Sequence, residues 1–79
     1  MGRSCRQSEF LRHAEALERW ADGRERAVAM LERRAGPLAR QGSPEEADRL
    51  RSAARHLRRA AFEDRALAES LRQAIGVPA

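Results

Sequence analysis

The sequence has a single cysteine, three prolines, one tryptophan and two phenylalanines, and it contains neither lysine nor tyrosine. Each scarcity excludes something. Cys5 alone cannot close an internal disulfide, and with only His13 and His56 to join it there is no zinc ligand set of familiar spacing. No apolar run of seven or more residues follows Arg3 and Arg6, so a secretory signal is not expected. No stretch approaches the ~20 apolar residues of a membrane span, and the expected location is cytoplasmic. Paired carboxylates, a Ser/His/Asp or Cys/His arrangement and a glycine-rich phosphate loop are all missing, so neither catalysis nor a cofactor is expected. His13 follows Glu9 by one helical turn and lies near Glu15, the spacing of carboxylate-histidine metal sites in bundles, but those sites need several such turns facing one another. With His56 on a different face, both histidines read as solvated surface residues, and no metal site is expected.

What remains is a short chain rich in alanine and charge. Its 79 residues make one domain (1–79), and chains of this size bury only ~60% of the surface their unfolded form exposes. A core this thin rarely supplies more than ~3–5 kcal/mol, so small proteins recruit disulfides, a metal or a partner. Here a partner is the expectation. All sixteen cationic residues are arginine, a bias expected of a GC-rich bacterial genome. The formal net charge of +4 raises the question of nucleic acid, but twelve acidic residues are interspersed with the arginines, so their placement on helices must decide.

Start and stop signals divide the chain. Ser43-Pro44-Glu45-Glu46 has a capping serine, a proline at the first helical position and a glutamate at the third, which reads as a capping box opening a helix at about residue 44. Nothing interrupts that helix before Gly76 and Pro78, so it should run to about residue 75, ~48 Å. The first helix should cover about 8–35, starting near Ser8, or near Ser4 if Ser4 and Gln7 form a capping box. Asp22-Gly23 is one candidate break, and Gly36-Pro37 a stronger one, because the proline ring clashes with the carbonyl four residues back. The turn is then expected over about 36–43. The fold class is all-α, an antiparallel helical hairpin of two long helices.

Both helices carry a heptad seam. Phe10, Ala14, Leu17, Ala21, Arg24, Val28, Leu31, Ala35 and Leu38 recur at alternating spacings of four and three, and so do Ala47, Leu50, Ala54, Leu57, Ala61, Asp64, Ala68, Leu71 and Ile75. Folding the chain at Gly42 sets Leu38 against Ala47, Ala35 against Leu50, Leu31 against Ala54, Val28 against Leu57 and Leu17 against Ala68. Large residues meet alanine in most layers, which lets two helices approach closely. The charged seam residues Arg24 and Asp64 fall in neighbouring layers and are expected to pair, fixing the register. The other reading is that Arg24 snorkels to water beside Gly23.

The two flanks of the seam differ in kind. Glu18, Glu25 and Glu32 on the first helix face Arg51, Arg58, Arg65 and Arg72 on the second, so these rows should satisfy each other and argue against a DNA-binding face. The opposite flank carries Trp20 and Ala27, with Ala53, Ala60, Leu67 and Ala74 across from them and Ala16 and Met30 just outside. Two helices cannot cover this strip, so Trp20, Ala27, Met30, Ala53, Ala60, Leu67 and Ala74 are the expected partner-binding residues. A break at Gly23 would instead let an N-terminal helix fold back over them. Phe62 and Leu11 lie on the charged flank as single apolar residues without an assigned role.

Leu38-Ala39-Arg40, Pro44-Glu45 opening the second helix, Leu50, and Ala54-Arg55 with Leu57 together resemble the small co-chaperones of the type III secretion needle, of the YscE/PscE type. The resemblance spans about twenty residues around the turn. It implies a cytoplasmic hairpin that binds a tetratricopeptide-type chaperone and, with it, holds the needle subunit before secretion. The sequence thus supports a non-catalytic protein-protein interaction module, with the co-chaperone role as its specific form. A homodimeric four-helix scaffold, in which two copies pair through the same strip, is the first alternative. A small nucleic-acid binder using Arg33, Arg34, Arg55, Arg58 and Arg59 is the second.

Overall fold

The structure, a computed structural model, describes residues 5–76. Helix α1 (Cys5–Arg40) and helix α2 (Pro44–Ala74) pack antiparallel as a hairpin, a rod with principal dimensions of 63 × 16 × 14 Å. The architecture is all-α, with no strand among the described residues. No helix among them is long and apolar enough to cross a membrane.

Helix α1 begins before Ser8, where a start near Ser4 would place it, but it continues past Ala35 and passes unbroken through Gly23 and Gly36-Pro37. The turn accordingly shrinks from 36–43 to 41–43. Proline chiefly restricts the residue before it through a clash with that residue's amide and Cβ, and Gly36 has no Cβ to clash. Pro37 leaves the Arg33 carbonyl without its amide, but both residues are exposed, so water can take that place. Gly23 costs its helix only about 1 kcal/mol relative to alanine, which a continuous seam can absorb. Added at Gly23, a Cβ would meet only Arg26 Nη2, at 3.8 Å. Gly23→Ala is therefore expected to stabilise the free chain by about 0.5–1 kcal/mol, visible as a higher thermal midpoint. A lowered midpoint would mean that α1 needs Gly23 to bend.

The turn is a Schellman motif. Gly42 sits in the left-handed region at φ 87°, the Ser43 amide donates to the Leu38 carbonyl at 2.9 Å, and the Gly42 amide donates to the Ala39 carbonyl at 3.4 Å. This arrangement removes the expected capping box. Ser43 makes no side-chain cap, and its amide, which Glu46 would have to accept from, is already committed to Leu38. Pro44 still opens α2, and Gly76 at φ 74° closes it, its amide donating to the Gln73 carbonyl. Ser4 and Pro78, the other proposed start and stop signals, lie outside the described residues.

Every seam position is buried or half-buried, and the buried core consists of alanines apart from Leu17 and Val28. Ala14, Leu17 and Ala68 form one buried cluster with Leu71 packed on it, as the Leu17–Ala68 layer requires. The alternation has a geometric cause. Alanines, with Val28, occupy the positions nearest the opposing helix, while the larger residues lean across from the neighbouring position and, apart from Leu17, remain partly exposed.

Candidate interaction surface

In an antiparallel pair each flank of one seam meets the same flank of the other. On the charged flank this produces a ladder at seven-residue spacing. Arg72 Nη2 lies 2.5 Å from Glu18 Oε1, Arg65 Nη2 3.0 Å from Glu25 Oε2, and Arg58 Nη2 3.0 Å from Glu32 Oε2. Asp22 joins the middle rung, 2.7 Å from Arg65 Nη2. Arg51 does not take part, because the register sets it against Ala39; it lies 3.8 Å from Asp48 of its own helix. Hydrogen bonds to Glu25 and then to Asp22 raise the Arg65 pKa, and the bond to Glu18 raises that of Arg72. Because these are upward shifts of cationic groups, their stabilising effect is fully present below the unfolded value and would be lost only as pH rose through the folded one, above any working pH. Arg65→Ala is expected to lower the thermal midpoint more than Arg51→Ala, and the gap should narrow in high salt. Equal effects would mean the ladder does not contribute.

Between the flanks, Arg24 and Asp64 occupy adjacent seam layers, opposite Ala61 and Ala21 respectively. Arg24 Nη1 lies 2.5 Å from Asp64 Oδ2, and the side chains are 38% and 14% exposed. The guanidinium therefore turns to the carboxylate and not to open water. Each charged residue replaces a large apolar one and keeps an alanine across from it, so the close approach of the helices is preserved.

The opposite flank is open. Trp20 is 54% exposed, Met30 56% and Leu67 48%, and α1 continues through Gly23, so no folded-back helix covers them. Ala16, Ala27, Ala53 and Ala60 are half-buried and Ala74 is exposed. The register sets Trp20 beside Leu67 and Ala27 beside Ala60, while His13 stands opposite Ala74 and Arg34 opposite Ala53. The apolar strip is thus widest in the middle and closed by polar residues at each end. A groove lined by Arg19, Trp20, Gly23, Arg24, Ala27 and Leu57 runs along it, with Gly23 and Ala27 as its small residues.

One feature of the border was not apparent from composition. Arg12, Arg19, Arg26, Arg33 and Arg40 recur every seven residues along α1, all exposed, and none takes part in a hydrogen bond or ion pair. The acids are interspersed in sequence, but on α1 all except Glu9 fall on the ladder side. A search for charge at heptad spacing would have found the row. Of the other arginines considered for nucleic acid, Arg58 is held by Glu32, while Arg34, Arg55 and Arg59 are exposed. His13 and His56 are exposed, and Phe62, at 73%, stands alone beyond the ladder.

Comparison with known protein families, with curated proteins and with solved structures yields no match. Fold and surface define the chain as an alanine-layered antiparallel hairpin with one self-paired flank and one uncovered apolar flank.

Proposed function

We propose that the chain is a non-catalytic binding module that lays its Trp20/Leu67 strip against a helical face of another protein. The observation that carries this reading is the exposure of Trp20 and Leu67 on one flank, with Trp20 lining a groove that also includes the small residues Gly23 and Ala27. A large aromatic beside small residues gives a partner both a knob to grip and a hole to fill, and tryptophan is the residue most enriched at interface hot spots. Covering the strip stabilises the hairpin by mass action, so the complex melts higher than the free chain. The resemblance around the turn points to a bacterial cytoplasmic co-chaperone of type III secretion, whose partner is a tetratricopeptide-type chaperone holding the needle subunit.

The test combines co-expression with neighbouring genes of the source genome and a reading of Trp20. A bound partner should blue-shift Trp20 emission and protect it from quenching. Trp20→Ala should weaken the complex at least about tenfold while changing the free chain's thermal midpoint little, since the side chain is half exposed. Neighbouring genes for secretion machinery favour the co-chaperone form, and unrelated neighbours remove it. A dimer at micromolar concentration, with Trp20 protected in the absence of any other component, would favour the homodimeric scaffold instead.

A further inference from the structure

Along α1, from Arg12 to Arg40, the outer edge of the apolar strip carries charge of one sign, whereas its α2 edge is mixed, and the α1 edge selects the occupant. Along α1 the arginine row lies directly outside the strip: Arg19 lines the groove, and the Arg26 guanidinium reaches to within 3.8 Å of where a Gly23 Cβ would stand. Successive arginines are ~10.5 Å apart along the helix axis, one heptad of rise. None has a hydrogen-bond or ion-pair partner among the described residues. Resting on the binding-module reading above, we infer that the strip docks an amphipathic helix of another protein whose apolar seam is bordered by aspartate or glutamate at seven-residue spacing.

Charge complementarity separates this occupant from the others. A second copy laid helix α1 to helix α1 would bring two arginine rows to the same edges. Laid α1 to α2, it would set the row beside Arg49, His56, Glu63 and Ser70, which offer a single carboxylate. Nucleic acid would meet the arginines but not the tryptophan, and exposed Glu15 and Asp22 border the row on its far side beside Arg12, Arg19 and Arg26, the stretch that flanks Trp20. An acidic helix uses both features at once. Its apolar residues enter the groove over Gly23 and Ala27, and carboxylates one heptad apart match the pitch of Arg19 and Arg26, because both rods share the same rise.

The experiment titrates the full chain with three synthetic helices of about four heptads. They share one leucine/alanine seam and carry glutamate, glutamine or lysine at the flanking positions; Trp20 emission is the readout. At low salt (~50 mM) the glutamate peptide should bind at least about tenfold tighter than the glutamine peptide, with lysine weakest, and the order should collapse at ~1 M salt. Combined Arg19→Gln and Arg26→Gln, at exposed positions that leave the seam intact, should erase the glutamate advantage. Equal affinity for the glutamate and glutamine peptides, or a preference that survives the double substitution, overturns the inference and leaves the binding-module reading standing. Displacement of the glutamate peptide by double-stranded DNA, or a Trp20-dependent dimer of the chain alone, also overturns it. If no peptide shifts Trp20 emission, the binding-module reading fails with it.

Discussion

Arg24→Met is expected to cost about 2–3 kcal/mol of folding stability, and Asp64→Asn about 1, although the two residues form one ion pair. The asymmetry follows from exposure. With the guanidinium removed, the Asp64 carboxylate, 14% exposed, is left charged in the seam without a partner. With the carboxylate neutralised, Arg24, 38% exposed, can swing its head toward water past Gly23. Methionine keeps most of the arginine stem, so the comparison reads charge and not volume. In a hairpin whose core supplies ~3–5 kcal/mol, the first substitution leaves much of the population unfolded near body temperature, and denaturant titration would measure both. Equal and small costs would mean the pair is ornamental. Replacing both residues by apolar ones, Arg24→Met with Asp64→Leu, is expected to restore the midpoint or raise it, since a buried ion pair seldom outperforms hydrophobic residues of similar size.

The pair acts on register more than on stability. Sliding one helix by a heptad would still set large residues against alanine in most layers, because the alanine row of α2 is unbroken from Ala47 to Ala68. The apolar pattern alone therefore tolerates several alignments. Three features exclude the slipped ones: the short turn, with its Schellman bonds from Gly42 and Ser43, the Arg24–Asp64 pair near mid-rod, and the ladder from Glu18–Arg72 to Glu32–Arg58. The double apolar variant should accordingly show additional amide resonances from minor registers even as it gains stability.

These devices explain which parts of the molecule were legible in the sequence. Seam, pairing register and ladder partners follow from periodicities of three, four and seven, and helix geometry converts each directly into a face. The strip followed in the same way, because Trp20, Ala27, Ala60 and Leu67 fall on one flank whatever the details of the ends. The C-terminal end of α1 and the turn chemistry did not. Gly36-Pro37 carries two residues that individually disfavour helix, yet the glycine relieves the restriction the proline imposes, an interaction that residue-by-residue propensity cannot express. Ser43 has the right identity and spacing for a capping box but serves as the final residue of the α1 Schellman motif, so its amide is spent before α2 begins. Arg51 belongs to the basic row by spacing and lacks an acid on the other helix only because the partner position is Ala39. The arginine row of α1 was obscured by interspersion: counted along the chain its charges alternate with acids, and only sorting by seven separates them.

The large-against-small layering itself can be tested at Leu17 and Ala68, which share one buried cluster. Leu17→Ala should cost about 2–4 kcal/mol, because among the described residues Leu17 and Val28 are the only buried side chains larger than alanine and the short neighbours cannot close the void. Ala68→Leu should also destabilise, by about 1–3 kcal/mol, which is notable because leucine at a seam position ordinarily strengthens a coiled coil. Here it would force two leucines into a layer spaced for one and push the helices apart. The double substitution inverts the layer, placing alanine on α1 and leucine on α2, and should be markedly less destabilised than the two single costs added together. Recovery should still be incomplete, since the new leucine projects from the position closest to α1, where the native one leans across from the neighbouring position. A double-mutant cycle by denaturant titration measures this coupling. Additive costs would show that the two side chains do not share a layer, and the alignment on which the ladder and the docking strip both depend would have to be redrawn.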